Sequence, residues 1–401
     1  MKRRRQHMLE VAVGLLAMGT LAVVASGFSG QSSSTDLSSG TITVGWGANL
    51  TGFLAVHDKL IEEGGKLAVD QINTTGGIVG KVKIKLIRED TKSDPAASVG
   101  VANDLTAKHV GVMVLPCNTD FQLAMAAVAK RKNQFTMSPC NADPTAPKAF
   151  PIYWPVGMGG NAQMAQLANY AKLRHYKRVY VLDSNFLYVH LMAKYFKKAA
   201  PSRGISIVGT DQIPFGAQGF PQDYAAQVGK IKAVSPAPDA VMTGLFTPFV
   251  DTLAKEMRAQ GLTMPIIGSD GMDTQLDLTS GGKAIEGSAF STFGFPTPGS
   301  NTAKLMAVFA KRFGSPDGTY PGLGYDTIKV LEAAVVKAGS TDPAKIQAAL
   351  GKGMTVQGVL GPYSYPGHGE HNPKTVVIVD RIQGGKFHLV LKSIPKNVPA
   401  P

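Results

Sequence analysis

The stretch VGVMVLPCNTDFQLAMAAVAKRKNQFTMSPCNADP (110–144) carries the pattern from which the rest of the chain is read. It opens with a fully apolar strand at 110–116, continues as a helix over 121–132 and returns to a strand over 134–139. Short apolar strands alternating with amphipathic helices mean parallel sheet covered on both faces. The stretch also holds the only two cysteines, Cys117 and Cys140. Each follows a proline, precedes an asparagine and closes an apolar run. From the residues alone they are a disulfide, a metal or redox pair, or the rim of a binding site.

The alternation extends in both directions. Before it come a buried strand TITVGWGAN (41–49), a helix LIEEGGKLAVDQIN (60–73) and a strand VKIKLIRED (82–90). A helix over 93–108 follows, with Asp94 as its N-cap and Pro95 at its first position. After FPIYWPVGMGG (150–160) the series resumes. Helices are expected at about 161–173, 189–200, 221–234 and 249–261, with strands at 177–184, 205–214, 239–246 and 265–270. Two consecutive series predict two similar lobes. Beyond 285 the order changes to a strand at 287–295, helices at about 301–313, 324–338 and 343–351, and a hairpin over 375–391 around a Gly-Gly turn. Each late block is expected to return to one lobe, so that three crossovers form a hinge.

The chain has 401 residues, 44% hydrophobic and 17% charged, enough for two cores. MKRRRQH and the apolar run 11–27 read as an export signal, with an uncleaved anchor helix as the alternative. Residues 28–40 read as a Ser/Gly-rich flexible spacer. The formal charge of +13 is spread over polar helix faces, which reads as a basic surface rather than a nucleic-acid site.

In open parallel sheets ligands bind outside the carboxyl ends of the strands. The loops there are GANLTGFLAVHD, PCNTDF and PCNADP in the first series, and DSNFLY, TGLFTPF and GSDGMD in the second. They are rich in Asn, Thr, Ser, Asp and aromatics, and several lead into helix N-termini that suit an anion. Asp270 ends a strand with no sequence-near partner and could receive an ammonium. His57 is a strand-end candidate, with a plain surface histidine as its alternative. HGEH (368–371) lacks a third metal ligand nearby. No nucleophile elbow, P-loop or His-Glu-x-x-His motif occurs, so no catalytic residue, metal or cofactor is expected.

The run TGFLAVHDKLIEEGGKLAVDQINTTGGIVGKVKIKLIREDTKSDPAASVGVANDL (51–105) resembles the N-terminal part of the leucine/isoleucine/valine-binding family, the type I periplasmic solute-binding proteins of ABC transporters. The likeness continues through SPCNADP, DAVMTGLFTPFVDTLAKEMRAQGL and IIGSDG. It implies an α/β fold of two doubly wound parallel-sheet lobes joined by a three-strand hinge. The expected division is 41–155 plus 290–358 for one lobe and 156–289 plus 359–401 for the other. It further implies a monomeric periplasmic protein that binds one small ligand and meets an ABC membrane permease, with no nucleic-acid partner. A sensor of the same fold is the alternative to transport.

By the same resemblance, Asn118, Thr119, Asn141 and Ala142 hold the ligand's carboxylate and part of its amine. Asp270 holds the amine, and Phe246 with Phe186 or Tyr188 closes over the side chain. Packing inside the second lobe is the other reading for Phe246 and Tyr188. His57 stands where the family often has a tyrosine. The first ligand loop, Cys-Asn-Thr-Asp-Phe, departs from the family's small hydroxyl residues, and Ala142 replaces a threonine. The carboxylate cradle is altered, and Asp120 adds negative charge nearby. A small polar metabolite such as an amino acid or amide is expected, without commitment to leucine. Some relatives pair the first cysteine with one after the second strand, but Ser93 stands there. In a sheet of order 2-1-3-4-5 the two cysteines end adjacent strands about 4.8 Å apart. The expectation is a Cys117–Cys140 disulfide, with two separate buried thiols as the alternative.

Overall fold

The apolar runs that end near Cys117 and Cys140 are neighbouring strands in the computed structural model, which describes residues 37–216, 219–314 and 318–401. Gly40–Ala48 (β1), Val82–Asp90 (β2), Val112–Val114 (β3), Thr136–Ser138 (β4) and Tyr153–Pro155 (β5) form a wholly parallel sheet of order β2-β1-β3-β4-β5. Ala55–Thr74 (α1), Pro95–Ala107 (α2), Thr119–Arg131 (α3) and the short Ala146–Ala149 (α4) connect them. The Asp94 side chain accepts the Ala97 N–H at 2.7 Å, the expected N-cap.

The second sheet begins after Gly160–Leu173 (α5). Arg178–Ser184 (β6), Ser206–Ile213 (β7), Ala240–Thr243 (β8), Ile266–Gly268 (β9) and Ala289–Thr292 (β10) alternate with Leu187–Ala199 (α6), Ala225–Lys232 (α7), Phe249–Ala259 (α8) and Gln275–Ser280 (α9). The chain then returns to the first lobe as Asn301–Phe313 (α10), Tyr320–Ala338 (α11), Pro343–Gly351 (α12) and a small hairpin of Met354–Gln357 (β11) and Pro362–Tyr365 (β12). It ends as Val377–Gln383 (β13) and Lys386–Ser393 (β14), antiparallel additions to a second sheet of order β14-β13-β10-β9-β8-β6-β7. Gly384 and Gly385 make their turn, with φ of 60° and 67°.

The lobes are thus connected by chain segments after β5, β10 and β12. The expected divisions ran at 289/290 and 358/359, whereas all of β10 lies in the second sheet and Tyr363 and Tyr365 pack in the first core. The return works because α11 lies close along α1. A Cβ at Gly324 would stand 1.6 Å from the Ile61 carbonyl oxygen, and one at Gly64 would stand 2.0 Å from that of Pro321.

The expected signal and residues 28–36 of the spacer lie outside the described residues. The end of the spacer is not loose chain: Leu37 is buried in the first core and Gly40 opens β1. The reason is apolar burial ahead of the first strand, which the Ser/Gly composition concealed. Among the described residues no helix is long and apolar enough to cross a membrane.

Candidate functional site

The strand ends of the first sheet are bound into one frame. Asp90, closing β2, accepts the backbone N–H groups of Leu50 and Thr51 at 3.0 and 3.2 Å and the Thr51 hydroxyl at 2.7 Å. Ser93 donates to the Thr51 carbonyl and accepts from the Leu54 N–H, at 2.9 and 3.2 Å. Asp58 accepts from the Asn49 backbone and side chain at 3.0 and 2.6 Å, and from the Cys117 N–H at 3.0 Å. Burial raises the Asp58 pKa to about 6 against these hydrogen bonds. Cys117 and Cys140 are joined as a disulfide with Cα atoms 4.9 Å apart, which locks the third loop to the fourth.

Between this frame and the strand ends of the second lobe lies a cavity. It is lined by both cysteines, Leu54, His57, Asp58, Asn118, Asn141, Ala142 and Met158, and by Gln163, Tyr188, Phe246, Asp270, Phe293 and Tyr320. Its volume is about 40 Å³, counting only positions open to a water-sized sphere. A single water needs about 10–15 Å³ on that measure.

Asp270 is the electrostatic centre of the second-lobe wall. Its Oδ1 accepts from the Tyr188 hydroxyl at 2.8 Å and from Gln163 Nε2. The Tyr188 oxygen also lies 2.7 Å from Ser269 Oγ, and Tyr320 donates to the Asp270 carbonyl. Burial raises the Asp270 pKa, and the bonds from Gln163 and Tyr188 oppose it. Burial also pushes His57 down to about 4, so the imidazole is neutral at neutral pH. Among the described residues lining the cavity there is no lysine or arginine.

The structure brings His57, Asn118, Asn141, Ala142, Tyr188, Phe246 and Asp270 together on the cavity wall. Thr119 and Phe186 are not on it. Thr119 is turned inward in the first turn of α3, fully buried. Phe186 stands just ahead of α6 and packs with Phe53, Phe215, Phe220 and Phe246, at centroid distances of 4.5–6.4 Å. Of the pair Phe186 and Tyr188, it is therefore Tyr188 that faces the cavity. Asp58, Gln163 and Tyr320 were missed: Asp58 closes the strand-end loop GANLTGFLAVHD without standing out in it, Gln163 lies in the helix expected over 161–173, where a polar residue reads as a solvent face, and Tyr320 precedes the helix expected from 324.

The HGEH turn has another use. His371 stacks on Trp154 with ring centroids 3.6 Å apart, and its Nδ1 lies 2.8 Å from the Tyr153 carbonyl. Among the described residues no cluster of three metal-ligating side chains occurs.

Two parallel-sheet lobes, three connecting segments and an interlobe cavity define a two-lobed solute-binding protein. The chain belongs to the periplasmic binding protein family, whose model matches residues 41–386, a family of extracytoplasmic binding proteins rather than enzymes. It is 27% identical over 328 residues to the Leu/Ile/Val-binding protein BraC3 of Rhizobium johnstonii, covering 81% of this chain and 87% of the relative. Among solved structures it resembles the branched-chain amino acid transporter substrate-binding protein LivJ of Streptococcus pneumoniae in complex with isoleucine. That match has a TM-score of 0.77 and 22% identity over 88% of this chain and 100% of the other. A solute-binding protein of an ABC transporter from R. palustris, in complex with benzoate, aligns with a TM-score of 0.76 and 18% identity, over 88% and 97% of the two chains.

Proposed function

We propose that this protein captures a small metabolite bearing an ammonium or amide group, of the amino acid or amide class, in its interlobe cavity. As a monomer outside the cytoplasm it delivers that ligand to an ABC import permease. The observation that carries the reading is Asp270, a carboxylate buried in a cavity whose described lining offers no lysine or arginine. An ammonium would supply the missing counter-charge and reverse the upward pKa shift. The α3 N-terminus across the cavity suits the ligand's carboxylate. The relative solved with isoleucine holds a ligand of this kind, and the one solved with benzoate holds a lone acid. Two carboxylates, Asp58 and Asp270, beside a neutral His57 favour the first class. Ligand contacts made to both lobes hold the closed form, which is the form that docks on the permease.

The test is a thermal-shift screen of amino acids, amides, polyamines and small carboxylates including benzoate, followed by calorimetry. A bound ligand at one hundred times its Kd adds about 2.7 kcal/mol of apparent stability. Stabilisation by ammonium- or amide-bearing compounds is expected. Stabilisation by benzoate-type acids alone overturns the ligand class.

A further inference from the structure

A backbone carbonyl accepts hydrogen bonds and donates none. Asn372 Nδ2 donates to the Pro144 carbonyl at 2.9 Å, which settles which way the Asn372 amide faces. Its Oδ1 is then turned toward Asn141 and accepts from Asn141 Nδ2 at 3.0 Å, which settles the Asn141 amide in turn. The atom left over is Asn141 Oδ1, buried and without a partner among the described residues. Asn141 is only 2% exposed and lines the interlobe cavity. An oxygen left buried and unpaired costs about 1–3 kcal/mol. The neighbouring His371, stacked on Trp154 and bonded to the Tyr153 carbonyl, holds Asn372 in place against the first lobe.

We propose that Asn372 is a positioning residue for ligand specificity. It fixes the Asn141 amide so that the cavity presents a carbonyl acceptor, and the ligand must bring an N–H donor to it. This rests on the ligand reading above and sharpens it: the N–H that meets Asn141 is required in addition to whatever meets Asp270. A ligand whose only polar group is a carboxylate would set lone pair against lone pair at Asn141 Oδ1.

The test uses the full exported chain labelled with ¹⁵N at asparagine. With no ligand added, the Asn141 side-chain N–H protons should exchange slowly with solvent in the unmodified protein, held by the bond to Asn372. Asn372→Leu removes the acceptor and should speed that exchange by about tenfold, the factor that one lost hydrogen bond allows. Asn372→Asp gives up the donor to the Pro144 carbonyl but still offers an oxygen to Asn141, so its exchange should stay slower than in Asn372→Leu, which also serves as the comparison if the leucine variant folds poorly. Calorimetry with L-isoleucine, L-glutamine, L-asparagine and benzoate then reads specificity. Preference for the N–H-bearing probes over benzoate should fall about tenfold in Asn372→Leu and survive in Asn372→Asp. Equal exchange in all three proteins, or equal loss of preference in both variants, overturns the proposal. A panel in which nothing binds counts against the ligand reading, while the exchange comparison still decides whether Asn372 fixes Asn141.

Discussion

Asp120 and Leu187 tie one lobe to the other. Asp120 stands in the first turn of α3, in the first lobe, and its Oδ1 accepts the Leu187 N–H at 3.0 Å. Its Oδ2 accepts the N–H of Tyr188 at 3.2 Å. Those two N–H groups open α6 in the second lobe and have no partner within their own helix. A carboxylate from one lobe therefore caps a helix of the other, in part through the backbone N–H of the very tyrosine whose hydroxyl reaches Asp270.

Asp120→Ala should weaken ligand binding by tenfold or more, since hydrogen bonds to a charged group contribute roughly 1.5–3 kcal/mol and these join separate lobes. Small-angle scattering of the ligand-free variant should show a larger radius of gyration than the unmodified protein. If neither affinity nor radius moves, the contact does not hold the lobes together.

Phe53 makes the matching apolar contact. It lies in the loop after β1, in the first lobe, stacked on Phe246 at 6.3 Å and 15°, with Phe186 and Phe215 at 6.4 and 6.1 Å. Each aromatic pair contributes about 0.5–1.5 kcal/mol beyond burial. Phe53→Ala should speed ligand release by roughly three- to tenfold in stopped-flow measurements, with little change in unfolding of the ligand-free protein. A large stability loss with an unchanged release rate would place the ring in a lobe core instead.

The Cys117–Cys140 bridge closes a loop that includes Asn118, α3 and β4, and ties it to the start of the loop that carries Asn141 and Ala142. Removing it by Cys117→Ala with Cys140→Ala should lower stability by about 2–4 kcal/mol in the chain-entropy account. Affinity should fall as well, because both cysteines line the cavity. Thiol titration of the unfolded, unreduced protein should find no free thiol; two reactive thiols would mean that the exported protein is not bridged.

The two sheets were legible because their strands are apolar runs set between helices of clear periodicity. β2, α10 and α12 fall where the residues place them. β5 was hidden: Tyr153, Trp154 and Pro155 are too few and too proline-rich to show a period. The site was legible where it hangs on strand ends, as with Asn118, Asn141 and Asp270. It was illegible where a partner arrives from a distant segment. Asn372 stands 231 residues from the Asn141 amide it meets, and Tyr320 stands 50 from the Asp270 carbonyl. Phe53 was visible in its strand-end loop, but nothing near it in sequence announces the rings of the other lobe.

Stability should decline as pH rises above neutrality. Asp380, on β13, is buried with Oδ1 unpartnered among the described residues. Burial, helped by Asp273, raises its pKa to about 8. An unfolded aspartate titrates near about 3.9, so the folded state holds the extra proton between those values. The contribution is complete at acid pH and is lost as pH climbs through 8. His57 has the opposite sign: with its pKa lowered to about 4, its contribution is complete above about 6.5 and is lost only in acid. Between pH 6.5 and 8 the Asp380 effect therefore acts without His57. The thermal midpoint should fall over that range, and Asp380→Asn should flatten the profile and exceed the unmodified protein at pH 8. A flat profile in the unmodified protein would remove Asp380 as the cause.

Asp270 decides whether the cavity is built for an ammonium. Its carboxylate is buried, bonded to Tyr188 at 2.8 Å and to Gln163, with no cation among the described lining residues. Removing one half of a desolvated ion pair costs about 2–5 kcal/mol, so Asp270→Ala should weaken an amino-acid ligand about thirtyfold or more. Asp270→Asn separates charge from shape. It can keep a hydrogen bond to Tyr188 while losing the charge, so an ammonium ligand should lose nearly as much affinity as with alanine, whereas a neutral amide should lose much less. Calorimetry with the ligand found by the thermal screen reads both. A loss under threefold in Asp270→Ala would take the residue out of the site and leave its hydrogen bonds to Tyr188 and Gln163 as a purely structural cluster.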